Sequence, residues 1–264
     1  MGFKTMKIAI VGAGRLATNL APALQKGGAE VVEVWSRTCV SAETLAARLG
    51  CKATWGDVAG MTREADLYLL SIKDAALKDV VSRLHEGREE ALFAHTSGSV
   101  SLSLFSEAGH QRGAVFYPLQ TFSKERQVDF AHVHLFIESM CKADENLLHT
   151  LATTLTPHVH QSTSATRRRL HLAAVFACNF ANHCCTLADD LLSAADLDYS
   201  VLLPLIDETV EKLHQLRPAD AQTGPAVRRD ENVMGMHRAM LADHPELQHL
   251  YNQLSESIIR YTHD

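Results

Sequence analysis

The amino-acid sequence predicts an α/β protein in which a doubly wound parallel sheet with extra strands is followed by an all-helical domain. Short β-branched runs alternate with helical patterns over roughly the first 160 residues, as parallel strands joined by crossover helices do. A glycine-bearing turn, "IVGAGRLATNLA", separates the first strand from the first helix. From Ser164 onward the strand signal stops and only helical patterns remain. The expected domains are therefore residues 1–162 and 163–264.

Lys7 to Val11 reads as a buried strand, and Arg15 to Lys26 as a helix with Leu16, Ala17, Leu20, Ala21 and Leu24 on one face, stopped by Gly27 and Gly28. Pro22 lies inside that helix, where an interior proline costs roughly 3 kcal/mol, so a kink or a shortened helix is expected. Val31 to Trp35 is the second strand. Ser41 is expected to cap a helix carrying Leu45, Ala46 and Leu49, with Gly50 ending it. Cys51 to Thr54 is a third strand, Asp66 to Ser71 a fourth, Asp74 to Leu84 a helix, and Ala91 to His95 a fifth strand ending in the polar turn "HTSGS". Ala114 to Tyr117, Val133 to Glu138 and Val159 to Gln161 extend the sheet.

In the second domain, Arg167 to Ser193 lacks proline and glycine and would reach about 40 Å as one helix. Tyr199 to Leu216 and Asn232 to Thr262 are further helices, the last broken near Pro245, and "RPADAQTGPAVRRD" is the loop between them.

The chain has 264 residues, 46% hydrophobic and 21% charged, with a formal charge of −6. That balance argues against nucleic-acid binding, and the run Arg167, Arg168, Arg169 reads as a solvated helix start. No apolar run reaches the 18 or so residues that suggest a membrane span. The opening "MGFKTM" has no apolar segment with a cleavage site, so a cytoplasmic protein without a membrane partner is expected. The six cysteines lack C-x-x-C spacing and are expected to be small buried hydrophobes. His132 with His134, and His158 with His160, share strand faces, but no third ligand falls at a diagnostic spacing, and no metal is expected.

Gly12, Gly14 and Ala17 form G-x-G-x-x-A between strand and helix. The first glycine permits the tight turn, the second lets backbone approach a pyrophosphate, and the alanine keeps helix and strand close. With Ala13, Arg15 and Leu16 they place free N–H groups and the positive helix end at an anion. The second strand then ends in Ser36, Arg37 and Thr38, where NAD-binding chains carry a carboxylate for the ribose. A guanidinium and two hydroxyls match the 2′-phosphate of NADP(H) instead.

Taken in order, "GAGRLA", "SRT", "SIKD", "AHTSGS", "FYPLQTFS", "RLHLAAVFACNFANH" and "QTGPAVRRD" resemble a family of Rossmann-like proteins with an all-helical C-terminal domain of unknown function. The family is described as NADP oxidoreductases and is similar to pyrroline-5-carboxylate reductase and the deazaflavin-dependent NADP oxidoreductases. The likeness covers essentially the whole chain. It implies a C-terminal domain similar to that of 6-phosphogluconate dehydrogenase, a homodimer through the C-terminal helices, and an active site in the cleft between domains. Deazaflavin enters as a cofactor by resemblance only. Related reductases have a "VKP"-like turn where this chain has Ile72, Lys73 and Asp74. Some members carry a histidine before the proline of "FYPLQTF", where this chain has Tyr117, so that histidine's role does not transfer.

Ligands of such sheets sit beyond the carboxyl ends of the strands. Ser71, Lys73, His95, Thr96, Ser97 and Ser99 are therefore expected beside the nicotinamide, with Ser71, Lys73 and His95 holding cofactor, Thr96 positioning substrate and Ser97 in a catalytic role. His95 reads equally as an acid or as a structural end-of-strand residue. His171, Val175, Cys178, Asn179 and Asn182 fall along one broad helix face. His171 with Asn179 is the catalytic candidate: related dehydrogenases set a lysine and an asparagine on that helix, and here His171 would replace the lysine at a longer spacing to Asn179; satisfied structural hydrogen bonds are the alternative. Thr223 and Arg228 or Arg229 offer donors for a carboxylate or phosphate, and Asp230 either orients one of those arginines or caps a helix. The expected activity is NADP(H)-dependent hydride transfer to or from a small imine, ketone or hydroxy/keto acid. A non-catalytic NADP-binding sensor or assembly protein is the alternative.

Overall fold

β1 (Lys7–Val11) sends Ile8 and Ile10 to one face of the sheet and Ala9 and Val11 to the other, all four buried. A strand covered on both faces reads as an unbroken apolar run. The computed structural model describes residues 5–261. After β1 come α1 (Ala17–Lys26), β2 (Glu30–Ser36), α2 (Cys39–Leu49), β3 (Lys52–Trp55), β4 (Leu67–Leu70), α3 (Leu77–Leu84), β5 (Leu92–His95), α4 (Leu104–Glu107), β6 (Gly113–Leu119), β7 (His134–Ser139), α5 (Lys142–Thr153) and β8 (Val159–Gln161). They form one eight-stranded sheet in the order β3-β2-β1-β4-β5-β6-β7-β8. Every neighbouring pair is parallel except β6–β7. The order reverses between β1 and β4, the switch point at which such sheets bind ligands. Leu20 and Leu24 of α1, Leu45 of α2 and Leu148 of α5 cover one face. Leu77, Val81 and Leu84 of α3, with Phe105, cover the other.

Several elements differ from expectation. α1 begins at Ala17 rather than Arg15 and runs on through Pro22. The carbonyl that Pro22 cannot reach, that of Thr18, accepts the Arg48 guanidinium at 3.1 Å instead. Thr38, not Ser41, stands at the N-cap of α2; its hydroxyl donates to the Ser41 hydroxyl at 2.9 Å. Gly50, in the left-handed conformation at φ 66°, ends α2 as expected. The helix after β4 opens as a 3₁₀ turn, Asp74–Ala76. α4 and α5 were not anticipated. None of the six cysteines is buried, and all are free thiols.

The chain divides into two compact units, one ending at Asn182 and the other beginning at His183. The helical run Ser164–Ser193 consists of α6 (Ser164–Ala174), a π-helical segment Val175–Phe180, and α7 (Ala181–Ser193). By length and composition alone this helix could cross a bilayer, because Ala, Val, Phe and Cys outweigh its polar residues over an 18-residue window. The second unit continues with α8 (Leu203–Gln215), α9 (Glu231–Met240) and α10 (Pro245–Tyr261). The break at Pro245 is as expected, with the proline opening α10; Thr262 lies outside the described residues. His237 Nδ1 lies 3.0 Å from the Tyr251 hydroxyl, and Gln248 Nε2 donates to the Arg238 carbonyl at 2.7 Å, joining α9 to α10.

Candidate active site

Residues leaving the carboxyl ends of β2, β1, β4, β5 and β6 stand in that order along one edge of the sheet. Adjacent strands are about 4.8 Å apart, so β2 and β5 are separated by about 14 Å. At the β1 turn, Gly12 has φ +112°, and a Cβ there would strike the Ser71 carbonyl oxygen and come within 2.9 Å of Ile72 Cγ2. Only glycine fits. A Cβ on Gly14 would meet nothing within 4 Å, which leaves space for a ligand above the backbone. Ala13 is buried, while Gly14 and Arg15 are exposed. Leu16 occupies the N-cap of α1 without a side-chain cap, so first-turn N–H groups remain for an anion. Asn19 fastens this turn to the loop after β6: its Nδ2 donates to the Arg15 carbonyl at 2.9 Å and the Ser123 carbonyl at 2.8 Å, and its Oδ1 accepts from Val128 N–H at 3.0 Å.

At the β2 tip, Ser36 is half-buried, and Arg37 and Thr38 are exposed. The Glu33 carboxylate points away from this tip into the interior, where it accepts from Thr54 Oγ1, from Thr62 N–H at 2.5 Å and from Lys52 Nζ at 2.8 Å. Glu30 opens the strand at its far end. The tip therefore carries no carboxylate. Among the described residues, none forms an ion pair or side-chain hydrogen bond with Arg37.

After β4, Ser71 donates its N–H to the Val11 carbonyl at 2.8 Å, and Lys73 is exposed. After β5, Thr96 Oγ1 donates to the Leu70 carbonyl at 3.3 Å. Ser97 Oγ accepts from Ser99 N–H at 3.1 Å and Val100 N–H at 3.2 Å, which shapes the turn. Ser99 Oγ donates to Asp74. His95 is fully buried, stacked on Phe105 at 5.6 Å, with Nδ1 accepting from Ser97 N–H at 3.2 Å and Nε2 unpartnered. Burial first, and then the Arg167 charge, lower its pKa to about 4, so the ring is neutral at pH 7.

Gly98 brings α6 to this edge. A Cβ on it would lie 2.7 Å from His171 Nδ1 and 2.8 Å from Tyr117 Cζ. The Tyr117 hydroxyl is 3.2 Å from His171 Nδ1. One turn earlier on α6, Arg167 is completely buried. It pairs with Glu138 of β7 and donates to the Val100 carbonyl. Glu138 also accepts from Ser164 N–H at 2.9 Å, and Ser164 Oγ accepts from Leu102 N–H at 3.0 Å. The start of α6 is thus bolted to both β7 and the segment that follows the "HTSGS" turn.

The structure brings Gly12 against Ser71, and Gly98 against Tyr117 and His171. Asn179 sits exposed in the π segment, and no hydrogen bond among the described residues joins it to His171. Thr223 and Arg228 are exposed in the second unit. Asp230 caps α9, accepting from Val233 N–H at 3.2 Å. Arg168 and Arg169 are solvated, as the basic run suggested, but Arg167 is not. Sequence reasoning missed Tyr117, Glu138 and Arg167; the one available signal was the four-residue step from Arg167 to His171, which puts both on one helix face. His134 stacks between His158 and His160, with centroids 4.8 and 5.1 Å away. Among the described residues no group of three or more metal-ligating side chains is arranged to hold an ion.

Comparison with known proteins places the chain. Residues 7–93 match the family described as NADP oxidoreductase, coenzyme F420-dependent. Residues 133–258 match a domain of unknown function, DUF2520. A crystal structure of a candidate NADP oxidoreductase from Bacteroides fragilis is 47% identical, with TM-score 0.93, covering 97% of this chain and 98% of that one. An imine reductase variant from Myxococcus stipitatus in complex with NAD+ shares the fold at 15% identity and TM-score 0.63, covering 99% and 96% of the two chains. So does a pyrroline carboxylate reductase from Plasmodium falciparum with NADP bound, at 12% identity and TM-score 0.56, covering 99% and 100%. No curated protein matches.

Proposed function

This chain belongs to the family of Rossmann-like NADP oxidoreductases that carry the C-terminal domain of unknown function, and from that premise we propose that it binds NADP(H) and reduces a small imine, ketone or keto acid. The observation that carries the reading is the β2 tip: Glu33 is turned inward, and Arg37 stands exposed with no side-chain partner among the described residues. A 2′-phosphate would supply that partner.

Gly12, Ala13, Gly14, Arg15 and Leu16 would hold the pyrophosphate at the uncapped start of α1. Ser36, Arg37 and Thr38 would hold the ribose phosphate. Ser71, Lys73 and the turn after His95 would flank the nicotinamide, with His95 supporting that turn from inside. Bound reduced cofactor supplies a hydride. The chain's own residues orient the substrate, exclude water and deliver a proton. Thr96 is the substrate-positioning residue of the turn, and Ser97 fixes the turn's shape. Thr223 and Arg228 would engage an anionic substrate group.

The π segment supports a joint role for His171 and Asn179. In an α-helix eight residues turn about 80° past two full turns, whereas one residue absorbed by a π turn brings the two positions to within about 20°. The same helix exposes Leu172 at 58%, Phe176 at 64% and Phe180 at 49%. Such a stripe is unusual on a monomer, and we read it as the face of a homodimer rather than of a membrane span. Light scattering at micromolar concentration tests the dimer. Oxidation of NADPH in the presence of cyclic imines and 2-keto acids tests the activity; tight NADPH binding with every compound left unreduced would remove the reductase reading.

A further inference from the structure

The geometry points to Tyr117 as the group that hands a proton to the substrate, with His171 returning a proton to it. The assignment rests on the reductase reading above. Tyr117 lies near the carboxyl end of β6, in the strand row that borders the ligand edge, and its ring tip packs on Gly98 of the β5 turn. Its hydroxyl is 3.2 Å from His171 Nδ1, and the rings meet edge-on at 6.1 Å.

The other candidates on this edge are committed or sealed. Ser97 Oγ accepts two turn N–H groups and gives its own hydrogen to Ser99 Oγ at 3.2 Å, Thr96 Oγ1 donates to the Leu70 carbonyl, and Ser99 Oγ donates to Asp74. His95 is completely buried. Lys73 is exposed, with no partner among the described residues to hold its ammonium in place. Tyr117 is 8% exposed and fixed from two sides. Burial raises its pKa, against a smaller opposing effect of the Arg167 charge, so its phenol keeps its proton at neutral pH. His171 is half-buried and is the member of the pair that solvent reaches.

In the step, the substrate carbon gains a hydride and the electrons of its double bond move to nitrogen or oxygen. That atom bonds to the phenolic proton as the Tyr117 Oη–H bond breaks. The phenolate takes the Nδ1 proton of the His171 ring, and water returns a proton to that ring, leaving hydroxide in solvent. One hydride and one proton are consumed per double bond, and reduced cofactor becomes oxidised cofactor. The charges around the pair are Arg167 on α6, neutralised by Glu138 on β7, and Asp74 beyond Ser99 on the neighbouring turn; His95 on β5 is neutral.

Full-length Tyr117→Phe and His171→Gln are compared with the native chain, using NADPH and a panel of five- and six-membered cyclic imines and 2-keto acids. Tyr117→Phe is expected to lower kcat about 100-fold, the scale of a lost general acid, with KM and NADPH affinity by calorimetry within about 3-fold. His171→Gln keeps a hydrogen bond but has no ring proton to pass on, so it is expected to lower kcat about 10-fold with KM within about 3-fold. Nitrogen NMR of His171 in the NADPH-loaded protein should shift in Tyr117→Phe. A kcat within 3-fold of native in Tyr117→Phe, or in His171→Gln, overturns the assignment. NADPH binding without reduction of any panel member overturns it too, while leaving the cofactor site standing. Absence of NADPH binding overturns the underlying reading itself.

Discussion

Two arginines of the first unit, one at the β2 tip and one at the start of α6, are treated in opposite ways. Arg37, at the β2 tip, is exposed and has no side-chain partner among the described residues. Arg167, at the start of α6, is completely buried, paired with Glu138 and bonded to the Val100 carbonyl. A buried guanidinium must be satisfied by the protein, since removing it from water is expensive. An exposed one costs the fold almost nothing and stays available. The difference separates a cation that holds the fold together from one that the fold leaves exposed.

The largest way to break this contrast is to delete both charges in turn. Arg167→Ala leaves Glu138 unpaired and is expected to cost about 3–5 kcal/mol, whereas Arg37→Ala should change stability by less than about 0.5 kcal/mol; urea titration compares them. Equal losses would erase the distinction.

His95 tests the same buried end by pH. Its folded pKa of about 4 lies below the ordinary value of 6.5. Between those values the unfolded chain binds more protons than the folded one, so stability is fully present above pH 6.5 and falls as pH drops toward 4. The loss approaches about 3 kcal/mol. His95→Gln should flatten that part of the stability profile.

Gly98→Ala places a methyl 2.7–2.8 Å from His171 and Tyr117 and should cost about 1–3 kcal/mol through overpacking. The Tyr117 and His171 NMR signals should move while NADPH affinity holds. Arg48 lies between the two extremes, exposed yet bonded to the Thr18 carbonyl beneath Pro22. Arg48→Ala should cost about 0.5–1.5 kcal/mol, and Pro22→Ala should remove most of that cost, in a double-mutant cycle.

Local chemistry was legible in the sequence, and distant pairing was not. β1 and β8 fall on their expected bounds, and the Gly12 turn and the carboxylate-free β2 tip follow from residue type alone. Arg167 looked like part of a solvated run because its partner, Glu138, is 29 residues away on another strand. The Tyr117–His171 contact spans 54 residues and passes over a glycine whose packing role only the fold creates. The π segment carries no residue signature, since a helix absorbs an extra residue for tertiary reasons. The cysteines read as buried because their neighbours are apolar, but Cys178 and Cys184 lie on an exposed helix surface.

The most direct test is calorimetric titration of native protein and Arg37→Asp with NADPH and with NADH. Recognition of the 2′-phosphate at the β2 tip predicts a loss of about 100-fold for NADPH and less than about 3-fold for NADH, since only the first ligand brings the charge that a guanidinium matches. Equal losses for both cofactors, or none for either, would contradict it.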